Sequence, residues 1–251
     1  MKPLEILHHD QWLVAVNKPP GMLVHRSHLS RERHVILQRL RDQLGQRLYP
    51  VHRLDRATSG VLLFALDPKT ANSLTTTFGE GRADKAYLAV VRGWPEPETG
   101  HIDRPVRDDA RESHREARTD YRRLALVEMP FSNRRHDTSR YALMQLEPET
   151  GRRHQLRIHM ERIAHPIIGD TTHGDGEHNR LFRQHLDCHR LLLHASALTL
   201  AHPVEQDKTL ALQAPLRGEF SDVIQTLGWR DALTKAFAGL SVHQHHQAGN
   251  I

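Results

Sequence analysis

The most constraining feature of this chain is the polar string HRLDRATSG at residues 52–60. It places the carboxylate of Asp55 between two arginines, and apolar segments typical of strands flank it at residues 48–51 and 61–66. Nearby positive charge favours the ionised carboxylate, and a polar loop fixed between two core strands is a common location for catalytic residues. The alternative is an ordinary surface ion pair, since such pairs are common and weak.

The charge composition indicates a polyanionic partner. The net charge is +5, from 35 basic and 30 acidic residues among 251. The basic residues are 29 arginines and only 6 lysines. Arginine is well suited to bidentate phosphate contacts and to stacking on bases, so a basic surface rich in arginine favours nucleic acid. Codon bias in a GC-rich genome would produce the same excess of arginine and is the alternative.

Three further observations indicate a cytoplasmic protein. No apolar run approaches 18 residues, so no transmembrane helix is expected. The N-terminus lacks the apolar region of a signal peptide. The single cysteine, Cys188, cannot form an internal disulfide, which agrees with a reducing compartment.

The pattern of apolar residues predicts strands that adjoin strands, with helices scattered among them, which is typical of an α+β fold on a mixed, mainly antiparallel sheet. Residues 104–140 contain ten arginines and few apolar positions, which predicts an extended excursion from the core. It could be an RNA-contacting arm or a solvated charged loop. The pattern predicts a hairpin at 4–18, further strands at 85–91, 141–146 and 191–200, and helices at 31–44, 68–78, 152–165 and 222–237.

Two more strings carry candidate functional residues. The segment KAYLAVV at 85–91 contains Tyr87, and TGRRHQLRIH at 150–159 contains Arg157. Taken alone, Tyr87 is most simply a core tyrosine in a strand. Arg157 would be one of two solvated arginines on a helix face.

These strings and HRLDRATSG, together with residues 10–21, 165–170 and 193–195, form ordered blocks that resemble the RluA-type pseudouridine synthases, and the resemblance runs from about residue 4 to about residue 215. The resemblance implies the pseudouridine synthase fold, a mixed, mainly antiparallel β-sheet flanked by helices and loops. Within the family the chain is most similar to the tRNA pseudouridine(65) synthase branch. We therefore expect a single catalytic domain over residues 1–251, with no N-terminal S4-like RNA-binding domain.

The resemblance also implies roles for individual residues. Asp55 matches the catalytic aspartate of the family, and the sequence leaves open whether it acts as a nucleophile or as a base. Tyr87 matches the tyrosine that stacks on the target uracil, and Arg157 matches the arginine that pairs with the aspartate. The remaining matched residues are expected to contact RNA or assist base flipping, with Arg53 filling the space that the flipped base vacates: Arg53, Lys18, Arg152 and His154.

The implied reaction converts a tRNA uridine to pseudouridine, exchanging the N1–C1′ glycosidic bond for a C5–C1′ bond. The target base must first be flipped out of its stack. Nothing is oxidised and no phosphate is transferred, so we expect no cofactor, nucleotide or metal. The sequence contains neither a GxxxxGK[ST] nor a GxGxxG string. We expect tRNA as the partner. We also expect a monomer, because no self-complementary patch can be recognised in the sequence.

Three alternatives remain at this stage. The same chemistry could act on a ribosomal RNA uridine. A non-catalytic RNA-binding protein would need the basic surface but not Asp55, Tyr87 and Arg157 together. A metal site is the third alternative, because a loosely zinc-like group is spaced along the chain without a second cysteine pair: His185, Cys188, His189 and His194.

Overall fold

The computed structural model describes residues 2–25, 35–108, 113–205 and 207–242. It has the predicted α+β architecture, and its described residues form twelve strands and six helices. The strands are β1 (Glu5–His9), β2 (Leu13–Lys18), β3 (Tyr49–Pro50), β4 (Ser59–Ala65), β5 (Asp84–Arg92), β6 (Thr99–Asp103), β7 (Val106–Asp108), β8 (Ser113–Arg115), β9 (Arg118–Met129), β10 (Ser139–Pro148), β11 (Leu193–Ala201) and β12 (Thr209–Gln213). The helices are α1 (Ile36–Leu44), α2 (Pro68–Gly79), α3 (Gln155–Arg162), α4 (Gly176–Leu186), α5 (Glu219–Thr226) and α6 (Arg230–Val242).

Ten of these strands form one sheet in the order β1-β2-β4-β11-β5-β10-β9-β6, with β3 paired to β4 and β12 paired to β11. Every pairing in the sheet is antiparallel except that of β4 with β11. Ala195 in β11 pairs with Gly60 on one side and with Tyr87 on the other. This register places Tyr87 close to the loop that precedes β4, although 32 positions separate Tyr87 from Asp55 in the sequence.

Helices pack on both faces of the sheet. Alternate residues of β2 and β4 contribute to the cluster beneath α1 and to the cluster beneath α2, so these helices lie on opposite faces. The helix α3 buries Leu156 and Met160 against β5 and β10. Tyr87 packs against both the α1 cluster and the α3 cluster, so it lies between these two helices, and we call the surface between them the cleft. The α4 and α5 helices cover the other face of β5 and β10.

The structure confirms the predicted hairpin and the helix α2, whose N-cap Asp67 accepts the backbone N–H groups of Lys69 and Thr70. Residues 31–34 of the first predicted helix lie outside the described residues, and α1 begins at Ile36. Of the helices in the described ranges, none is long and apolar enough to cross a membrane.

The prediction for residues 104–140 was wrong in its central part. Residues 118–129 form β9, which pairs with both β6 and β10 inside the main sheet. Its early part alternates between exposed and buried side chains, so Arg118 and Arg122 occupy the open face of a core strand, whereas Arg123 is half-buried. Of the strands in the described ranges, β7 and β8 alone form a ribbon separate from the sheet.

The predicted C-terminal helix is two helices, and α4 was not predicted. Between α5 and α6 the chain turns at Gly228, which has a φ of +73°. A left-handed residue ends a helix even when the apolar spacing continues beyond it. The helix α4 follows a polar segment and is capped by Asp175, which accepts the N–H groups of Glu177 and His178.

Gly60 provides a test of the close contact between β4 and β11. Its φ is +114°, and a Cβ atom there would lie 2.1 Å from the carbonyl oxygen of Ala195. We predict that Gly60→Ala lowers the free energy of unfolding by roughly 3 kcal/mol or more, because backbone must move to admit the methyl group. Gly45→Ala is the control, since Gly45 also has a positive φ but faces open space; it should cost about 1 kcal/mol. Urea unfolding measures both, and equal losses would contradict the account.

Candidate active site

Asp55 lies in the loop between β3 and β4, which the register brings to the cleft between α1 and α3. Its side chain is 19% exposed. Leu54 is buried beside it and Arg53 is exposed, so neighbouring residues of the loop face in different directions. The N–H of Thr58 donates to the carbonyl oxygen of Asp55 over 3.1 Å and closes the turn. The loop thus holds a partly accessible carboxylate in a fixed position.

The guanidinium of Arg157 faces Asp55 from the first turn of α3. Its Nη1 atom lies 3.5 Å from Oδ2 of Asp55, and the Arg157 side chain is 8% exposed. The other side of the guanidinium is bound by Asp170, with Nε to Oδ2 at 2.6 Å and Nη2 to Oδ1 at 2.8 Å. Such a bidentate pair fixes the plane of the guanidinium. Arg157 is therefore held by Asp170 with one nitrogen directed at Asp55.

Asp170 is the buried anchor of this arrangement, with a side chain that is 0% exposed. Its Oδ1 atom also accepts the backbone N–H groups of Thr172 and His173, each at 2.9 Å. Burial alone would raise the pKa of this carboxyl, but the hydrogen bonds from Arg157 and from the two N–H groups outweigh that effect and hold its pKa below the ordinary value. The buried carboxylate therefore stays charged and keeps Arg157 in place.

Tyr87 forms part of the cleft between the α1 and α3 clusters, as its pairing with Ala195 requires. Burial and the negative charge of Asp55 both raise the pKa of its phenol. The phenol therefore stays protonated, and the side chain offers the cleft an aromatic ring beside the carboxylate.

Lys18, which the sequence predicted to contact RNA, is buried inside the protein. It is 0% exposed, and its ammonium donates to the carbonyl oxygens of Pro19, Arg56 and Thr58 at 3.0, 3.0 and 2.7 Å. Burial lowers the pKa of Lys18 to about 7, and the nearby charge of Arg190 adds to this. A buried ammonium whose three donors bind the protein backbone has none left for RNA. The predicted RNA contact is therefore replaced by a role in holding the loop that carries Asp55.

The other predicted RNA-contacting residues lie in three different settings. His154 joins the site, with Nε2 at 3.9 Å from Oδ2 of Asp55 and Nδ1 at 3.1 Å from Nε2 of His173. Arg152 is half-buried and donates from Nε to the carbonyl oxygen of Glu116, next to the ribbon. Arg53 is exposed beside the cleft. The structure thus brings His154 together with Asp55, Tyr87 and Arg157.

A buried hydrogen-bond chain supports the base of the loop. The hydroxyl of Ser59 donates to Nδ1 of His194, and Nε2 of His194 donates to the carbonyl oxygen of Ala214, at 2.8 and 2.9 Å. Burial lowers the pKa of His194 to about 4, which keeps Nδ1 available as an acceptor. Nη2 of Arg190 donates to the Ser59 oxygen over 2.7 Å. Sequence reasoning gave no role to Arg190, His173 or Asp170, although Asp170 stood in a matched block.

The four residues of the zinc alternative do not form a group with metal-ligand spacing among the described residues. Both nitrogens of His194 bind protein atoms, and His185 stacks on Phe131 instead. Burial raises the pKa of the Cys188 thiol to about 11, which disfavours the thiolate that binds zinc. In the described ranges, one group has metal-ligand spacing, and it is an exposed cluster elsewhere: His101, Asp120 and Glu149.

Basic side chains and the ribbon border the site. Arg162 of α3 donates to the carbonyl oxygen of Pro105 at 2.6 Å, and His159 bonds the carbonyl oxygen of Arg104 at 2.9 Å. These contacts attach the ribbon β7–β8 to the helix that carries Arg157. Exposed arginines occur in the loop of Asp55, in and just before the ribbon, and just before α3: Arg53, Arg56, Arg104, Arg107 and Arg153.

Asp170 gives a prediction on stability. We expect Asp170→Asn to lower the free energy of unfolding at pH 7 by about 3–5 kcal/mol, because it leaves the Arg157 charge buried without its anchor. The folded-state pKa of Asp170 is below 3.8, so its contribution is present above that pH and is lost as the pH falls through the lowered value. The difference between wild type and variant should therefore shrink in acid. Urea unfolding at pH 7 and pH 3 measures it.

Asp120→Asn is the matched control, because Asp120 is also bonded to a basic side chain, that of His101, but is about half exposed. It should change stability by less than about 1 kcal/mol. Equal effects of the two substitutions would contradict a special anchoring role for Asp170.

Comparisons with known proteins agree with this geometry. The sequence model for the RNA pseudouridylate synthase family matches residues 12–162. The tRNA pseudouridine synthase C of Vibrio cholerae is 47% identical over 241 residues, which cover 92% of this chain and 98% of that protein. The protein of the same name from Haemophilus influenzae is 44% identical over 239 residues, covering 91% and 99%.

Among solved structures, human RNA Pseudouridylate Synthase Domain Containing 4 superposes with a TM-score of 0.69 at 28% identity, over 89% of this chain and 92% of that one. Human RNA Pseudouridylate Synthase Domain Containing 1 superposes with a TM-score of 0.67 at 25% identity, over 90% of this chain and 97% of that one. Since the family model covers more than half of the chain and similar proteins match it along nearly their whole length, the chain belongs to the RNA pseudouridylate synthase family.

Proposed function

We propose that this protein is an isomerase that converts one uridine of tRNA, at position 65, to pseudouridine, with Asp55 as the catalytic carboxylate. The observation that carries the proposal is the partly exposed Asp55 carboxylate held against Arg157 in a cleft lined by Tyr87. The names of the bacterial relatives, tRNA pseudouridine synthase C, support tRNA as the substrate. Position 65 rests on the sequence resemblance to one branch of the family.

The reaction requires a carboxylate that is charged before the substrate binds. The guanidinium of Arg157, 3.5 Å away, faces the Asp55 carboxylate with a positive charge and fixes its orientation. Such a carboxylate could attack C1′ and form an ester bond that breaks when C5 bonds to C1′, or it could remove the proton at C2′ and return it in that same later step. Either route releases the uracil from C1′, after which the base turns and C5 bonds to C1′. The C5 proton then leaves and N1 gains a proton.

Tyr87 supplies a surface for the detached uracil. Stacking of a base on an aromatic side chain is worth about 1–3 kcal/mol, which suffices to hold a flipped base. Because its phenol stays protonated, Tyr87 is better suited to stacking than to removing the C5 proton. It keeps the uracil close to Asp55 while the base turns.

The surface around the cleft suits a folded RNA. The net charge is +5, and exposed arginines border the cleft on the loop and the ribbon. Arg53 projects beside Asp55 and is placed to fill the gap that the flipped uridine leaves in the RNA stack. A protein that acts on tRNA in this way works in the cytoplasm, and we expect it to act as a monomer.

The test is pseudouridine mapping on total RNA incubated with wild type or with Asp55→Asn. Carbodiimide modification and primer extension should show one new stop at position 65 of certain tRNAs with wild type, and none with the variant. Asp55→Asn should bind tRNA with an affinity within about threefold of wild type. A new stop in ribosomal RNA would replace tRNA by ribosomal RNA as the substrate. The absence of any stop with a folded, RNA-bound wild type would refute the proposed isomerase activity.

Lys18 and Arg53 give a paired prediction that separates holding the loop from contacting RNA. Lys18→Met should slow single-turnover pseudouridine formation by about tenfold or more, because a small displacement of a catalytic group is costly, while the salt dependence of tRNA binding stays unchanged. Arg53→Ala should weaken binding and reduce the slope of log affinity against log salt by about one. Filter binding over a range of salt measures both. A reduced slope in Lys18→Met would contradict its buried role.

A further inference from the structure

His154 has an unusual backbone for a residue with a side chain. Among the described residues, three non-glycine residues have a positive φ, and of these only His154 contacts the site. Its φ and ψ are 56° and 15°, and it is the N-cap of α3 without making a side-chain cap. N-cap residues are normally extended. Strained backbone that the surroundings enforce is concentrated at functional sites, so the placement of this imidazole calls for an explanation.

The imidazoles of His154 and His173 lie one after the other beside Asp55. His154 Nε2 lies 3.9 Å from Oδ2 of Asp55, and His154 Nδ1 lies 3.1 Å from Nε2 of His173. The two rings meet at an interplanar angle of 77°. The backbone N–H of His173 is itself fixed by Asp170. The same buried aspartate therefore positions both Arg157 and the second histidine.

The charge state of His154 depends on four neighbours. Burial lowers its pKa, the negative charge of Asp55 raises it, and the positive charges of Arg157 and Arg153 lower it, as does His173. The net effect lowers the pKa of His154. At neutral pH the ring is thus uncharged, with one nitrogen that can accept a proton while the other donates one.

We propose that His154 and His173 form a proton path that carries the proton taken from uracil C5 by Asp55 out to solvent. This inference rests on the proposed isomerase activity. It explains why a left-handed histidine is placed between the carboxylate and a second imidazole. A residue that only contacted RNA would not need one ring nitrogen directed at Asp55 and the other bonded to His173.

The proton balance closes without a further reagent. The C5–H bond breaks and Asp55 takes the proton, while the electron pair restores the aromatic base. Asp55 passes the proton to Nε2 of His154, and Nδ1 of His154 releases its proton to Nε2 of His173. His173 releases a proton to water from its other nitrogen, and N1 of the product takes one from water. Asp55 is again a carboxylate, and no net proton is consumed.

The sharpest test uses His154→Gly, because glycine adopts the observed backbone without strain and leaves a space where the ring was. We expect single-turnover pseudouridine formation on tRNA to fall at least tenfold, with tRNA affinity within twofold of wild type. Added imidazole should restore at least fivefold of the lost rate and should saturate. It should stimulate neither wild type nor Asp55→Asn. His173→Gln should slow the reaction three- to tenfold, since an amide can bond His154 but cannot relay a proton.

Each contrary outcome is informative. A rate in His154→Gly close to that of wild type, or a loss that imidazole does not restore, would overturn the proton path. A loss that follows weakened tRNA binding would make His154 an RNA contact and would also overturn it. An unchanged rate in His173→Gln would remove the second histidine from the path. Failure of wild type to form pseudouridine in any RNA would instead refute the proposed function, so the two failures are distinguishable.

Discussion

The buried ion pair between Arg157 and Asp170 is the interaction on which the candidate site depends. Isolated buried charges are costly, and this pair is sustained because two backbone N–H groups also bind the aspartate. The pair fixes the guanidinium on two of its nitrogens and leaves the third facing Asp55. The carboxylate that we propose to be catalytic is therefore positioned by another carboxylate, 115 positions later in the sequence, through one arginine.

The sheet supplies the other half of the geometry. Its one parallel contact joins β4 to β11 over two residue pairs, and Ala195 at this contact also pairs with Tyr87. The loop of Asp55 leads into β4 at this point. There the buried ammonium of Lys18 binds the carbonyl oxygen of Thr58, and the hydroxyl of Ser59 binds His194. Three distant segments thus meet at one place because strand register, rather than local sequence, brings them there.

The sequence predicted the parts of this protein that local pattern encodes. Strand alternation and the Asp67 cap predicted the α+β fold and α2, and the matched strings identified Asp55, Tyr87 and Arg157, whose proximity the structure shows. Local pattern failed where tertiary contacts decide. From sequence, Lys18 resembles an RNA-binding lysine, but in the fold its ammonium is buried among backbone carbonyls. The arginines of β9 suggest a loop in the sequence, but in the fold they belong to a strand with one buried face. The pairing of Asp170 with Arg157 is invisible in sequence, because an acidic residue in a turn carries no sign of its partner.

The central claim is that Asp170 acts on Asp55 mainly by holding the guanidinium of Arg157. The most direct measurement is a double-mutant cycle of single-turnover pseudouridine formation with Arg157→Met, Asp170→Asn and the double variant, each shown to be folded. If the claim holds, Asp170→Asn slows Arg157→Met by much less than it slows wild type, because only the contacts of Asp170 with the backbone of Thr172 and His173 are then left to lose. If the two losses multiply instead, Asp170 supports the reaction by a route independent of Arg157, and the account is contradicted.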